Sequence, residues 1–202
     1  MTENEWKAVC KSLINTALTD GETNFVVDLF IPLMEYHIFC EVLCTELMTL
    51  CAAFVMDGPN GIGNIPALLS AILCASWPRH LSKAIDTINP ILYTSVSIVK
   101  GWLLVLQEDS EVGCFCFCNG LQETSAEVKF LVCAHSLCLL CESAQRSLWM
   151  KWPELCNEIY YIIKPSITHN QRSLPGRIFC CVLPMNVLFQ LSWFTIERGW
   201  LV

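Results

Sequence analysis

"TENEWKAVCKSLINTALTDG", residues 2–21, is the stretch on which the fold class turns. Thr2 is followed three residues on by Glu5, the capping-box spacing in which each side chain accepts a hydrogen bond from the other residue's backbone amide. A helix is predicted to start there. Trp6, Val9, Cys10, Leu13, Ile14, Ala17 and Leu18 then recur at steps of three and four, which gathers them into one apolar stripe. Asp20-Gly21 stops it. A helix with a single oily stripe has to bury that stripe against other elements, so the rest of the chain should supply partners.

Working outward, Asn24 has the chemistry of a cap for FVVDLFIPLMEYHIF, and Pro32 is expected to break or kink the helix that begins there. The run from Tyr36 to Phe54 continues through Phe39, Cys40, Leu43, Leu47, Leu50 and Cys51 at helical spacing. Glu35, Glu41 and Glu46 interrupt it and argue for a core helix over a membrane span. Residues 65–77 read as a short helix ended by Pro78, and residues 81–88 as another ended by Asn89-Pro90. Residues 90–107 read as a helix with Pro90 at its first position, although Thr94, Val96, Ile98 and Val99 have strand preferences. A strand there would have no partner run elsewhere. Thr124 and Glu127 repeat the capping box for a helix through Val128, Leu131, Val132, His135, Leu139 and Ala144 toward Trp149. Trp152-Pro153 opens a last one, carrying Leu155, Ile159, Ile162 and Ile163 to Lys164-Pro165.

Helices joined by short loops with no confident strand predict an all-α fold, either an irregular helical bundle or a short armadillo- or HEAT-like helical solenoid. The helical domain is expected over 1–164. A less ordered apolar tail follows over 165–202, made of a turn-rich linker, 165–177, and a hydrophobic segment, 178–196. No period of ~33 to 47 residues holds across the chain, so the solenoid reading rests on helix length and apolarity alone.

Composition narrows the function. Hydrophobic residues make up 54% of the 202 and charged residues 15%, against roughly one quarter charged in ordinary soluble domains. Some apolar surface should therefore meet a partner or lipid. A net charge of −7 with twelve scattered Lys and Arg argues against nucleic-acid binding, which needs clustered cations. MTENEWKAVCKS lacks the apolar core of a secretory signal, which points to the cytoplasm or nucleus and to reduced thiols.

The chain holds fourteen cysteines. "GCFCFCNG", residues 113–120, sets Cys114, Cys116 and Cys118 near Cys133, His135, Cys138 and Cys141 in sequence. These seven are the candidate zinc ligands. An extended CxCxC points its sulfurs one way, whereas a helix aligns only Cys114 with Cys118, and the second cluster lies in an apolar helix instead of a knuckle. Buried free thiols are the favoured reading. Cys40, Cys44 and Cys51 share one helix face, where small side chains let a neighbouring helix approach.

No catalytic constellation is evident and no cofactor is expected. Of His37, His80, His135 and His169, only His135 has cysteine neighbours, and it falls within an apolar stripe. Glu41 with Glu46, and Asp109 with Glu111, are carboxylate pairs that any helix surface or loop supplies. MDGPNGIGN, residues 56–64, lacks the lysine of a phosphate loop and follows a helix, so it reads as a connector.

The expectation is a non-enzymatic helical scaffold or adaptor that binds a protein partner, with Trp6, Trp77, Trp102, Trp149 and Trp152 as candidate aromatic anchors or core fillers. One alternative is a tail-anchored membrane protein, since 178–196 is nineteen uncharged residues, although Pro184, Asn186, Gln190 and Ser192 are costly in lipid. A second alternative is a zinc-stabilised, cysteine-rich module.

Overall fold

Thr2 and Glu5 close the capping box reciprocally in the computed structural model. The Thr2 hydroxyl accepts from the Glu5 amide at 3.4 Å and the Glu5 carboxylate accepts from the Thr2 amide at 2.6 Å. Helix α1 (Glu3–Thr19) follows, burying Trp6, Cys10, Ile14 and Ala17 along the stripe that the spacing defines. Gly21, at φ 74°, takes the left-handed conformation that ends helices at little cost for glycine. The Asn64 amide donates to the Leu18 carbonyl at 2.9 Å, satisfying one of the last acceptors of α1 from a distant part of the chain.

The structure describes residues 1–57, 64–78, 89–108, 125–144 and 146–169. Among them the remaining helices are α2 (Thr23–Leu33), α3 (His37–Asp57), α4 (Ile65–Cys74), α5 (Pro90–Glu108), α6 (Ser125–Ala144), α7 (Arg146–Lys151) and α8 (Pro153–His169), and the described residues contain no strand. The fold is all-α.

Three boundaries differ from the sequence expectation. Helix α2 is entered through Glu22, not Asn24, because the turn at Gly21 restarts the helix at once, and Asn24 lies exposed inside it. Pro32 does not break α2 where it stands: it occupies the penultimate position, and the chain leaves the helix only at Met34. Helix α8 runs through Pro165 to His169, so the stretch expected to open a linker is helical. The boundary at Pro90 is as expected, and its cap is Asn89, whose side-chain oxygen accepts from the amides of Ile91 at 3.0 Å and Leu92 at 3.2 Å. The expected helix over 81–88, the cysteine-bearing stretch 113–120 and the tail segment 178–196 lie outside the described residues.

The chain divides into two compact units at Gly101 and Trp102. No composition shift marks this division, which falls inside the continuous helix α5. In the first unit α1 packs on α2, α3 and α4, and α2 packs on α4. Its core joins Trp6, Cys10 and Ile14 to Val27 and Phe30, to Phe39, Leu43 and Leu47, to Leu68 and Ile72, and to Ile91. Helix α4 is buried at Ile65, Pro66 and every position from Leu68 to Leu73, as suits a helix apolar all round. In the second unit α7 packs on both α6 and α8. Val132, Cys133, Leu137, Leu140 and Cys141 of α6, Leu148 of α7, and Leu155, Cys156 and Ile159 of α8 are buried.

Candidate functional site

The junction between α2 and α3 opens a groove of about 750 Å³ lined by Met1, Trp6, Leu33, Glu35, Tyr36, His37 and Ile38. Its geometry begins with the short turn between the two helices. The Tyr36 amide donates to the Leu33 carbonyl at 3.0 Å, and the Tyr36 carbonyl accepts from the Cys40 amide at 3.2 Å, which starts α3. Residues 35 to 38 are thereby held on a tight corner beside the first turns of α1.

An aromatic series ties this corner to the core. The Tyr36 and Trp6 rings lie 5.2 Å apart, Trp6 and Phe39 5.5 Å, and Phe39 and Phe30 6.0 Å, all tilted, the arrangement that ring quadrupoles favour. Trp6, Phe39 and Phe30 are buried, whereas Tyr36 is 55% exposed, Ile38 44% and Met1 67%. The groove therefore has a firm aromatic floor and an accessible apolar wall. Phe25, Met48, Tyr93, Leu104, Met150 and Tyr161 are also exposed but do not line it.

Its polar rim is acidic. Glu35 lines the groove, and His37 turns its ring nitrogen Nδ1 to the Glu41 carboxylate at 3.5 Å. Hydrogen bonds from Thr2 hold the Glu5 carboxyl below its ordinary range, and the Met1 ammonium acts in the same direction. Lys7 and Lys11 both turn to Glu46, at 3.4 and 4.0 Å. The two carboxylates Glu41 and Glu46 thus serve different partners.

The cysteines have another character. Among the nine described, Cys10, Cys40, Cys51, Cys133, Cys138, Cys141 and Cys156 are buried, Cys44 and Cys74 are half-buried, and none of these nine is bonded in a disulfide. Burial first, then the Glu46 charge and the neighbouring Cys40 and Cys44, pushes the Cys10 thiol up to about 11. Burial pushes Cys40 up to about 11 and Cys51 up to about 12. Cys141, beside Cys156 and Cys138, is raised well above the ordinary thiol value, again chiefly by burial. These four thiols are protonated at neutral pH and are poor nucleophiles. Cys10 meets Cys40 and Cys44 where α1 packs on α3, so the small side chains serve close helix approach.

Of the candidate zinc ligands, Cys133, Cys138 and Cys141 lie buried on α6 and His135 half-buried, while Cys114, Cys116 and Cys118 lie outside the described residues. No group of three or more His, Cys, Asp or Glu that could hold a metal occurs among the described residues. Burial lowers the basicity of His135, with Glu142 opposing. His80, Asp109 and Glu111 lie outside the described residues, as does the side chain of His169.

The tryptophans are mostly structural. Trp102 is buried, and the half-buried Trp77 donates its indole N–H to the Ile72 carbonyl at 2.9 Å. Only Trp6 of the five lines the groove. Sequence reasoning missed Tyr36 and Ile38. A local signal existed: Ile38 falls off the stripe begun by Phe39 and Cys40.

Among the described residues one helical stretch, Pro90–Gln107, is long and apolar enough to cross a membrane by length and composition, and 39% of it is buried. No curated protein and no solved structure matches the chain. Residues 1–197 match a single family, a span several times the short periods sought in the sequence. The chain belongs to that family, described as a repeat of unknown function (DUF7627).

Proposed function

We propose that the chain is a non-enzymatic helical interaction module whose first unit binds a protein partner through the groove at the α2–α3 corner. The observation that carries this reading is the exposure of Met1, Tyr36 and Ile38 around a floor made by buried Trp6. A contiguous apolar surface with a polar edge is the anatomy of a protein contact, where a few aromatic anchors supply most of the energy. Tyr36 is already braced by Trp6, so little side-chain entropy remains to be lost on binding.

The test places a photo-cross-linking amino acid at Tyr36 in the full chain expressed in cells, and at Phe25, exposed elsewhere on α2, as control. A defined protein adduct at 36 and not at 25 is expected. Binding of that purified protein should then be lost in Ile38→Asp. Equal adducts at both positions, or binding indifferent to Ile38→Asp, refute the groove.

A further inference from the structure

We infer that the occupant of this groove is a basic, hydrophobic peptide segment of a partner protein, its apolar side chains on Trp6, Leu33 and Ile38 and a Lys or Arg over Tyr36 toward Glu35. This rests on the proposed reading of the groove as a protein contact and adds the chemistry of the partner.

Lys7 and Lys11 are the only lysines or arginines in residues 1–57, and both turn to Glu46. The Met1 ammonium lies near Glu5. Glu35, exposed on the groove's edge, has no ion-pair partner among the described residues. Beside it stands Tyr36, a residue 55% exposed whose ring packs on Trp6. A carboxylate next to an accessible aromatic face attracts a cation twice, by Coulomb interaction and through the ring quadrupole.

The same rim disfavours other occupants. A second copy docked symmetrically would bring a second Glu35 into the same interface and supply no complementary charge from this rim. An anionic membrane surface or a nucleic acid would meet the Glu35 carboxylate at this rim, where Lys7 and Lys11 already turn to Glu46.

The test uses the full chain and three short labelled peptides that share Leu and Phe anchors and carry Lys and Arg, Gln or Glu between them, with binding read by fluorescence anisotropy. The basic peptide should saturate below ~1 mM and weaken as salt rises. Glu35→Lys should weaken it about fivefold, the loss of one exposed attraction and the gain of a like repulsion. Ile38→Asp should weaken it by about tenfold or more. Glu22→Lys makes the same charge change at the other end of α2 and should matter less than about twofold.

If the Gln or Glu peptide binds as tightly and Ile38→Asp still abolishes binding, the groove stands and the basic partner is wrong. Binding of the basic peptide that ignores both Glu35→Lys and Ile38→Asp removes the site altogether, and so does the absence of saturation. Self-association by sedimentation that Ile38→Asp abolishes would make a second copy the occupant and overturn the inference. Circular dichroism of each variant separates lost binding from lost fold.

Discussion

Adjacent residues 38 and 39 lie about 100° apart around α3 and differ sharply in exposure, so truncating each in turn reads the packing directly. Phe39 is fully buried, with rings of Trp6 at 5.5 Å and Phe30 at 6.0 Å. Phe→Ala in a core costs about 3–5 kcal/mol, and the loss of two aromatic contacts, each about 0.5–1.5 kcal/mol beyond its area, places this site near the upper end. Ile38 is 44% exposed, so Ile38→Ala should cost less than about 1 kcal/mol. With a urea slope of about 1–3 kcal/mol per molar, a cost near 5 kcal/mol should lower the Phe39→Ala unfolding midpoint by roughly 2–5 M. Ile38→Ala should move it by only a few tenths. Urea titration followed by far-ultraviolet circular dichroism measures both. A Phe39→Ala cost below about 1.5 kcal/mol, or equal costs for the two variants, would mean that α3 does not present this face to α1 and α2.

Thr2→Ala removes the side-chain acceptor at the start of α1 and should cost about 1 kcal/mol in the same titration. Asn89→Ala, which strips two amides of their acceptor at the start of α5, should cost about 1–2 kcal/mol, whereas Asn89→Asp should retain most of the stability. The pH dependence has a sign on each side. Cys10, Cys40 and Cys51 have folded values raised above 9.0, so their contribution is complete below about pH 9 and is lost as pH rises toward 11 to 12. Glu5 and His135 are lowered from 4.5 and 6.5, so theirs is present above those values and lost as pH falls. Thermal unfolding scanned over pH should show a plateau between neutral pH and about 9. Iodoacetamide at pH 7 with peptide mapping should label Cys44 and Cys74 before Cys10, Cys51 or Cys141 in the folded chain. Uniform labelling of the nine described cysteines would overturn the assigned burial.

Helix identity was legible wherever a local rule and the apolar period agreed. Thr2 with Glu5 gave the start of α1, Trp6 to Ala17 its buried face, and Pro90 the first turn of α5. Boundaries were lost where a side chain's role depends on the turn before it. Asn24 and Glu22 are both chemically able to flank a helix, and Gly21's left-handed turn chooses between them. Asn89, expected at the end of a helix over 81–88 that lies outside the described residues, caps the start of α5 with its side chain. The groove was illegible for a different reason. Met1 and Trp6 lie some thirty residues before Glu35–Ile38 in the chain, and only the packing of α1 on α2 and α3 joins them. The sequence did suggest that apolar surface would be left uncovered, and tryptophan was the natural anchor to inspect. At the groove Trp6 is buried as the floor, and Tyr36 and Ile38 are left at the surface.

What separates the groove from other exposed apolar residues is support. Single exposed side chains such as Phe25 or Met48 are ordinary on any soluble surface. Tyr36 is different: its backbone is fixed by two hydrogen bonds at the corner, and its ring rests on Trp6, which rests on Phe39, which rests on Phe30. A side chain held in this way surrenders little freedom when covered, so its buried area turns into affinity with less loss. In the proposed reading, packing of α1 on α2 and α3 fixes the shape of the groove, and Glu35, which has no ion-pair partner among the described residues, sets its charge.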